Sequence, residues 1–391
     1  MLLNPLNAAG LSCEDLVVNV DDKINPRRFY TCPESDCCSK ATCYYSSVPS
    51  VRCSCGKEMS YAGEWEKKTM NAAGDGVFVR GGLKFIVSDE LRVMPASTGG
   101  VLSLFGKKGI KDGSVLNLLR RTLISNTPLT DLFFKKSSMN EGDLPNRDGM
   151  FQLVPKCEGH DENSDCEEMK VKLLRTKYNG RFVHMECDEK VVELLFSFLT
   201  LPVGAVIKFL GKNSSMGCFD NLYESVESLC SPESVCIKSD EHKSMLLSPK
   251  LAPFFAAKMQ RLKIEETVSR GGVTKAGCHS CFRKTANCPH EVNIATFKEL
   301  NPKFPNKMTE PGGGYAKGQC KFMVTDDLNV SLFSPLAAVH MVKELGVSIG
   351  NLKEEEVGIG ETQALNLLKA ALCSETALTK VFSSNRRRHA S

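Results

Sequence analysis

The chain has 391 residues, enough for two or three ordinary domains and for a sizeable buried core. Hydrophobic residues account for 42% of the sequence and charged residues for 25%, which excludes wholesale disorder and fibrous repeats. The net charge of +4 is too small to indicate a phosphate-binding surface by itself.

The first part of the chain combines a cysteine-rich stretch with later segments that are typical of hairpins and helices. A glycine loop at Gly76–Gly81 comes before the run Lys84–Val93. Because a strand rather than a helix follows this loop, it predicts a turn and not a phosphate-binding site. Further along, the stretch from Cys157 to Met169 carries six acidic residues and no lysine or arginine, which is typical of a solvated linker.

The second half predicts strands and helices in alternation. The expected elements are a hairpin of 170–175 and 181–186, helices over 191–199 and 203–210, a hairpin of 321–325 and 329–333, a helix over 336–345, a strand near 356–359 and a helix over 362–372. Asn179-Gly180 is a strong hairpin signal, and Asp188 can cap the first helix. Pro202 separates the first two helices, and together with nearby charged residues it favours buried amphipathic helices over a membrane span.

Three blocks of the sequence occur twice, in the same order. Met1–Pro5 returns as Met245–Pro249, Lys84–Val93 as Lys321–Val330, and Leu116–Arg120 as Leu365–Lys369. The second and third blocks lie closer together in the first copy, which places a deletion near 109–114. Because residue 1 already corresponds to Met245, the segment 169–244 has no counterpart in the first copy. The pattern predicts tandem copies of one unit.

The predicted fold class is α+β, a tandem repeat of small hairpin-plus-helix domains, each with a cysteine-rich, zinc-ribbon-like insert. A partial first unit is expected at 1–144, with its insert at about 30–60. A complete second unit is expected at 169–384, with its insert at about 276–292. The acidic linker occupies 145–168, and a basic tail follows at 385–391.

Both inserts carry cysteines at spacings that suit a tetrahedral zinc site. The candidate ligands are Cys32, Cys37, Cys53 and Cys55 in the first copy and Cys278, Cys281, Cys288 and His290 in the second. Zinc takes four nitrogen or sulfur ligands, and a histidine replaces a cysteine without a large change of geometry. A closed set of four protein ligands makes the zinc structural rather than catalytic. Cys38 and Cys43 are surplus and could substitute as ligands, and thiols without metal are the alternative.

The sequence contains no hydrolase elbow, no His-Glu-x-x-His helix and no paired-carboxylate arrangement. The leading interpretation is therefore a non-enzymatic interaction or scaffold protein with structural zinc, acting on an unidentified protein partner. The alternatives are a nucleic-acid-associated zinc-ribbon protein, which the small net charge disfavours, and an enzyme of unknown reaction. An enzyme would need a pocket, for which Lys317, Asp326 and Asp327 are candidate lining residues.

The location in the cell is predicted from the N terminus and from the cysteines. The opening residues have no basic region and no continuous apolar run, so they do not resemble a secretory signal. We expect a reducing compartment, cytoplasmic or nuclear, in which clustered cysteines favour metal over disulfides.

Several blocks of the second copy are similar to a plant protein family known as domain of unknown function 674. The blocks that carry the resemblance are Lys170–Leu174, Leu194–Gly204, Gly217–Val226, Phe322–Leu328 and the closing stretch from Leu365 to Phe382. The resemblance covers 169–382 fully and 1–134 as a partial unit. It implies tandem units with cysteine-rich inserts, but it brings no catalytic residue and no ligand.

Overall fold

The computed structural model of the chain has a mixed α+β fold, which confirms the predicted class. It describes residues 2, 28–34, 42–64, 77–96, 118–123, 125, 127–133, 153, 168–211, 214–230, 236–256, 262, 264–267, 273–277, 293–303, 314–316 and 320–383. Of the predicted acidic linker only Leu153 and Glu168 are among these residues, and the basic tail lies outside them.

The strands and helices alternate along the chain. The strands are β1 (Arg28–Thr31), β2 (Thr42–Ser46), β3 (Tyr61–Glu64), β4 (Phe85–Val87), β5 (Val93–Pro95), β6 (Met169–Thr176), β7 (Phe182–Asp188), β8 (Val273–Gly277), β9 (Asn293–Glu299), β10 (Lys321–Val324), β11 (Val330–Leu332) and β12 (Leu352–Ile359). The helices are α1 (Pro128–Phe133), α2 (Glu189–Ser197), α3 (Val203–Leu210), α4 (Cys218–Leu229), α5 (Asp240–Leu247), α6 (Pro335–Glu344), α7 (Glu361–Cys373) and α8 (Ala377–Phe382). A further helical stretch covers 118–123, and short 3-10 turns cover Phe198–Thr200 and Ile349–Asn351.

The chain forms two compact units, each assembled from separate stretches of sequence. The cysteine unit comprises Met1–Ala72, Lys250–Lys258 and Ile264–Tyr315. The core unit comprises Ala73–Pro249, Met259–Lys263 and Ala316–Ser391. Both cysteine-rich stretches fall within the ranges of the cysteine unit, although they belong to different copies of the sequence repeat. The repeat boundaries themselves stay a prediction from the sequence.

The cysteine unit contains a five-stranded sheet in the order β3-β1-β2-β9-β8. Most neighbours in this sheet are antiparallel, but β2 and β9 run parallel, with Tyr45 paired to Glu299. The phenol of Tyr45 donates to the buried carboxylate of Glu299 at 3.3 Å, and the hydroxyl of Ser47 donates to the same carboxylate. The parallel pair therefore joins chain segments that lie far apart in sequence.

The core unit contains a second five-stranded sheet, in the order β11-β10-β7-β6-β12, and every neighbouring pair is antiparallel. The predicted hairpin of β6 and β7 is confirmed, and Gly180 has a φ of 65° at its turn. Alternate residues of β6, namely Met169, Val171 and Leu173, are buried on one face of the sheet. This alternation is expected for a strand with one face against a core.

Helices α2, α3, α7 and α8 contribute to one apolar cluster with that face of the sheet. Asp188 caps α2 by accepting a hydrogen bond from the amide of Lys190 at 3.0 Å, as its position predicts. Pro202 precedes α3 and separates it from the end of the first helical segment. Residues such as Val191 and Leu367 are fully buried in this cluster, so the apolar stretch 191–210 and the closing helix are core elements.

The core unit also contains two hairpins with the same turn geometry. In β4–β5, the amide of Ser88 donates to the carbonyl of Arg92 at 2.9 Å, and Leu91 has a φ of 60°. In β10–β11, the amide of Thr325 donates to the carbonyl of Asn329 at 3.1 Å, and Leu328 has a φ of 62°. A positive φ is uncommon for leucine, so its recurrence at matching positions is a specific similarity.

Each of these hairpins is tied to a helix by the same hydrogen bond. The carboxylate of Asp89 accepts from the amide of Thr130 in α1 at 2.8 Å, and the carboxylate of Asp326 accepts from the amide of Thr379 in α8 at 2.7 Å. The turns before α1 and α8 also match: Ser125 and Ser374 each accept a hydrogen bond from the amide two residues later.

In the described part of the chain, no single helix is both long and apolar enough to cross a membrane. The segments Glu189–Thr200 and Val203–Leu210 reach that length and composition only as a pair, bent by 116°.

Candidate metal centre

The candidate centre is formed by cysteines at two places in the first cysteine-rich stretch. Cys32 directly follows β1, whose last residue, Thr31, pairs with Tyr61 at the start of β3. Cys53 and Cys55 lie in the connection between β2 and β3. Because Thr31 pairs with Tyr61, the segment 32–60, which contains β2 and all three cysteines, begins and ends at paired residues.

A tight turn presents Cys53 and Cys55. The amide of Cys53 donates to the carbonyl of Lys57 at 2.8 Å, and the amide of Gly56 donates to the carbonyl of Cys53 at 2.9 Å. Gly56 has a φ of 85°, a conformation that favours glycine. The amide of Met59 closes the loop by donating to the carbonyl of Val51 at 2.8 Å. The turn therefore has a local sequence basis in Cys-Ser-Cys-Gly.

The three thiols lie at a spacing suited to one metal ion. The sulfur atoms of Cys32, Cys53 and Cys55 are all within 4.8 Å of one another, and those of Cys32 and Cys55 are 3.5 Å apart. Two sulfurs bound tetrahedrally at a zinc–sulfur distance of about 2.3 Å would lie about 3.8 Å apart. A separation of 3.5 Å is also far longer than the sulfur–sulfur bond of a disulfide, about 2 Å.

The centre is half enclosed. Cys32 and Cys53 are buried against Met59 and Leu300, whereas Cys55 is exposed. This arrangement restricts water on one side of the cluster and leaves a path for a metal ion on the other.

A lysine beside the cluster adds positive charge. Lys57 pairs with the carboxylate of Glu34, which raises the pKa of Lys57 by a hydrogen bond and by its charge. Cys55 and Cys32, when ionised, raise this pKa further by attraction. The ammonium group of Lys57 therefore interacts electrostatically with both of these cysteines.

The structure brings together three of the eight residues that the sequence predicts as ligands: Cys32, Cys53 and Cys55. Cys37 and the whole second set, Cys278, Cys281, Cys288 and His290, lie outside the described residues. The strands that flank the second set are described, and Gly277 of β8 pairs with Asn293 of β9. The segment 278–292 that holds the second set therefore begins and ends at paired residues, as does the longer segment 32–60, which also includes β2.

Most other described cysteines are in the core unit and are buried there. Cys187, Cys218, Cys236 and Cys373 are each at most 8% exposed. Burial raises the pKa of Cys187 to about 12, which keeps this thiol protonated at neutral pH. Such buried cysteines act as small apolar side chains.

The buried state of His184 could not be predicted from the sequence. His184 lies in β7 with 0% exposure, and its imidazole makes no hydrogen bond within the described structure. Its Nε2 atom lies 3.5 Å from a carboxylate oxygen of Glu186. Burial lowers the pKa of His184, and the charges of Glu186 and Glu354 oppose that shift only in part. The position in a central strand of the sheet is the only signal that could have indicated burial.

Two acidic residues that are candidates for lining an enzyme pocket lie in the turn between β10 and β11, and their carboxylates accept hydrogen bonds from threonines. The carboxylate of Asp326 accepts hydrogen bonds from the amide and the hydroxyl of Thr379, at 2.7 and 2.6 Å. Asp327 accepts from the hydroxyl of Thr325, and this bond lowers the pKa of Asp327. Lys317, the third candidate, lies outside the described residues.

The family model described as "Protein of unknown function (DUF674)" matches residues 1–362, which is most of the chain. The chain therefore belongs to the DUF674 family, as the sequence blocks indicate. Comparison with curated proteins and with solved structures gave no match.

Proposed function

We propose that this DUF674 chain is a non-enzymatic interaction or scaffold protein whose cysteine unit is held together by structural zinc. The observation that carries the proposal is the cluster of Cys32, Cys53 and Cys55, whose sulfur atoms lie within 4.8 Å of one another. Three thiolates at this spacing repel one another, and a zinc ion neutralises them while joining separate parts of the chain.

Cys37 is the fourth ligand in this proposal. It follows Cys32 after four residues, a distance that allows the chain to turn back toward the same ion. Four protein ligands leave no open position on the metal for water or substrate, so the zinc has a structural role. Thiolate ligands at tetrahedral spacing select zinc or iron over the hard cations magnesium and calcium.

We assign a second structural zinc to Cys278, Cys281, Cys288 and His290. The support is that both ligand sets lie in segments enclosed by a pair of antiparallel residues. Thr31 and Tyr61 enclose the segment in the first copy, which also contains β2, and Gly277 and Asn293 enclose the segment in the second. In each copy the first ligand directly follows the first strand of the pair.

The two copies of the sequence blocks are, in this proposal, duplicates of one ancestral unit. The matching turns support it, since Leu91 and Leu328 share a positive φ and Asp89 and Asp326 make the same bond to a helix. A chain made of duplicated units presents related surfaces more than once, which suits a protein that binds other proteins.

The hydrogen bonds that the candidate acidic residue Asp326 makes to α8 support a non-enzymatic role. A carboxylate that acts as a general acid or base must reach a substrate, whereas that of Asp326 is used to hold α8. Its counterpart Asp89 has the same use with α1.

The metal content of the purified chain tests the zinc proposal. The wild-type protein, purified without chelator, should contain two zinc ions per chain by elemental analysis. Cys55→Ser should contain one, because a hydroxyl is a much poorer zinc ligand than a thiolate. The matched control is Cys230→Ser, a partly buried cysteine of the core unit, which should retain both. A metal-free wild-type protein, or a Cys55→Ser protein with both zinc ions, would overturn the assignment of this site.

The interaction role is tested by affinity capture from plant cells, with the wild-type chain and the Cys230→Ser variant as baits. Wild type and Cys230→Ser should recover the same set of proteins, identified by mass spectrometry. Recovery of no specific protein by the wild-type bait would argue against a scaffold.

A further inference from the structure

Cys55 differs from the other cysteines whose side chains the structure describes. Among them, Cys55 alone is exposed, whereas Cys230 and Cys320 are partly buried and the others are buried. Oxidation of a cysteine depends on how accessible its sulfur is to the oxidant. An oxidant in solution therefore reaches Cys55 before the other described thiols.

A second sulfur atom lies within reach of Cys55. The sulfur of Cys32 is 3.5 Å from that of Cys55, although the two residues are 23 positions apart in the chain. A disulfide bond is about 2 Å long, so closing it takes about 1.5 Å of sulfur movement, which rotations of both side chains can supply. Cys32 is only 3% exposed and packs in a cluster with Met59 and Leu300. It is therefore shielded from an oxidant but adjacent to Cys55.

The backbone on both sides of this contact holds the two sulfur atoms near each other. Cys32 directly follows Thr31, which pairs with Tyr61 at the start of β3. Cys55 lies in the turn Cys53–Lys57, which two backbone hydrogen bonds close. Neither feature involves a metal ion, so a bond between the two sulfurs fits the same backbone with or without zinc.

We propose that Cys55 and Cys32 form a redox pair, in which a peroxide oxidises Cys55 and Cys32 then closes a disulfide with it. The disulfide takes the place of zinc as the link between β1 and the turn Cys53–Lys57. An exposed cysteine beside a resolving cysteine is the usual arrangement of a redox sensor. The loss of zinc rests on the proposed function, whereas the bond between the two cysteines does not.

The oxidation takes place in two steps. The thiolate of Cys55 attacks one oxygen of hydrogen peroxide, the O–O bond breaks, and Cys55 becomes a sulfenic acid as hydroxide leaves. The thiolate of Cys32 then attacks the sulfur of the sulfenic acid, the S–S bond forms, and a second hydroxide leaves. Each hydroxide takes up a proton to give water, so two thiolates lose two electrons and the peroxide gains them. A zinc ion that loses two of its four thiolate ligands is bound weakly and dissociates.

Peroxide treatment of the full-length chain tests the redox pair. The zinc-loaded wild-type protein is treated with hydrogen peroxide, its remaining thiols are alkylated, and non-reduced peptides are mapped by mass spectrometry. We expect a disulfide between Cys32 and Cys55, whereas the buried Cys187 should stay reduced. Wild type should also release one more zinc ion per chain than Cys55→Ser protein treated in the same way. Cys230→Ser, the matched control, should behave as wild type does.

The outcomes separate this proposal from the zinc proposal. Oxidised wild type without a Cys32–Cys55 disulfide, or with Cys55 joined to another cysteine, overturns the redox pair. A Cys32–Cys55 disulfide at unchanged zinc content overturns the exchange of zinc for the disulfide. A metal-free wild-type protein overturns the zinc proposal, and the peptide map then still decides the redox pair. The map needs no variant, so it decides even if Cys55→Ser does not fold.

Amide hydrogen exchange provides an independent measurement of the link. Exchange in β1 and in the turn Cys53–Lys57 should stay slower in the oxidised chain than in the reduced chain treated with a chelator, because the disulfide still joins these segments. Dithiothreitol and zinc together should restore the original zinc content, since a disulfide is reversible. Equal exchange in the two states, or zinc that does not return, would contradict the proposal.

Discussion

Among the residues that the structure describes, the core unit buries a cluster of 26 side chains between its sheet and its helices, whereas the cluster around the candidate metal centre contains four buried residues. Two of those four, Cys32 and Cys53, are proposed metal ligands. Small apolar cores stabilise a fold weakly, and small domains often depend on metals or disulfides instead. From this difference we expect apolar burial to stabilise the core unit and the proposed zinc to stabilise the region around the candidate metal centre.

The largest expected effect is the loss of structure in the cysteine unit when zinc is removed. Chelation should raise amide hydrogen exchange in β1 and in the turn Cys53–Lys57, because the proposed zinc would join these segments. Exchange in β6, β7 and α7 should stay slow, since the core unit has its own apolar cluster. Equal loss of protection in both units, measured by mass spectrometry, would contradict the difference between them.

The core unit should respond strongly to the loss of a buried side chain. Leu367 is 0% exposed in α7, and Leu367→Ala should lower the free energy of unfolding by about 2–5 kcal/mol. Leu372 of the same helix is 41% exposed, and Leu372→Ala should cost about 0.5 kcal/mol or less. Denaturant unfolding measures both, and similar costs for the two would mean that α7 is not packed as described.

The two units can be compared by adding a methyl group at one glycine in each, Gly204 in the core unit and Gly63 in the cysteine unit. A Cβ atom at Gly204 would lie 2.3 Å from the backbone oxygen of Leu246, so Gly204→Ala should destabilise the core unit by about 1–3 kcal/mol. A Cβ atom at Gly63 would lie 2.4 Å from the ring of Phe29, which is a side chain and not backbone, so Gly63→Ala should cost less than Gly204→Ala. Gly350→Ala, where the nearest atom is 4.0 Å away, is the control. The reverse order of costs in thermal unfolding would contradict this packing.

The bond between a hairpin and its helix should have a smaller effect. Asp326→Ala removes two hydrogen bonds to Thr379 and should lower stability by about 1–2 kcal/mol. The neighbouring change Asp327→Ala removes only a bond within the turn and should cost about 0.5 kcal/mol. If thermal unfolding shows no difference between the two, Asp326 does not hold α8.

His184 should make the core unit less stable in acid. Its pKa in the folded state is lowered by burial, so the unfolded chain binds a proton more readily. Its contribution to stability is present above the unfolded pKa, about 6.5, and is lost as the pH falls from there toward the folded pKa. His184→Gln should flatten the dependence of unfolding free energy on pH in that range, and an unchanged dependence would exclude His184 as the cause.

Local signals in the sequence predicted much of the core unit. Asn179-Gly180 identified the hairpin of β6 and β7, Asp188 identified the start of α2, and Pro202 identified the break before α3. The strand expected near 356–359 is longer, Leu352–Ile359, because it pairs along the whole of β6. Four charged residues in a row, Lys353–Glu356, conceal that pairing in the sequence.

Contacts between distant segments could not be predicted in the same way. The parallel pairing of β2 with β9 joins residues about two thirds of the chain apart, and no local pattern specifies it. For the metal centre, residue type and spacing identified Cys32, Cys53 and Cys55 as neighbours, because a ligand set has a characteristic spacing. The burial of His184 depends on packing over the sheet, which a single histidine in a strand does not reveal.

The measurement that most directly tests the structural zinc is X-ray absorption at the zinc edge on the full-length chain. We expect zinc with four ligands, mainly sulfur at about 2.3 Å, together with a minor nitrogen contribution from His290. Replacement of Cys55 should reduce the sulfur signal in proportion to the zinc lost. A chain without zinc, or zinc surrounded mainly by oxygen, would contradict the account.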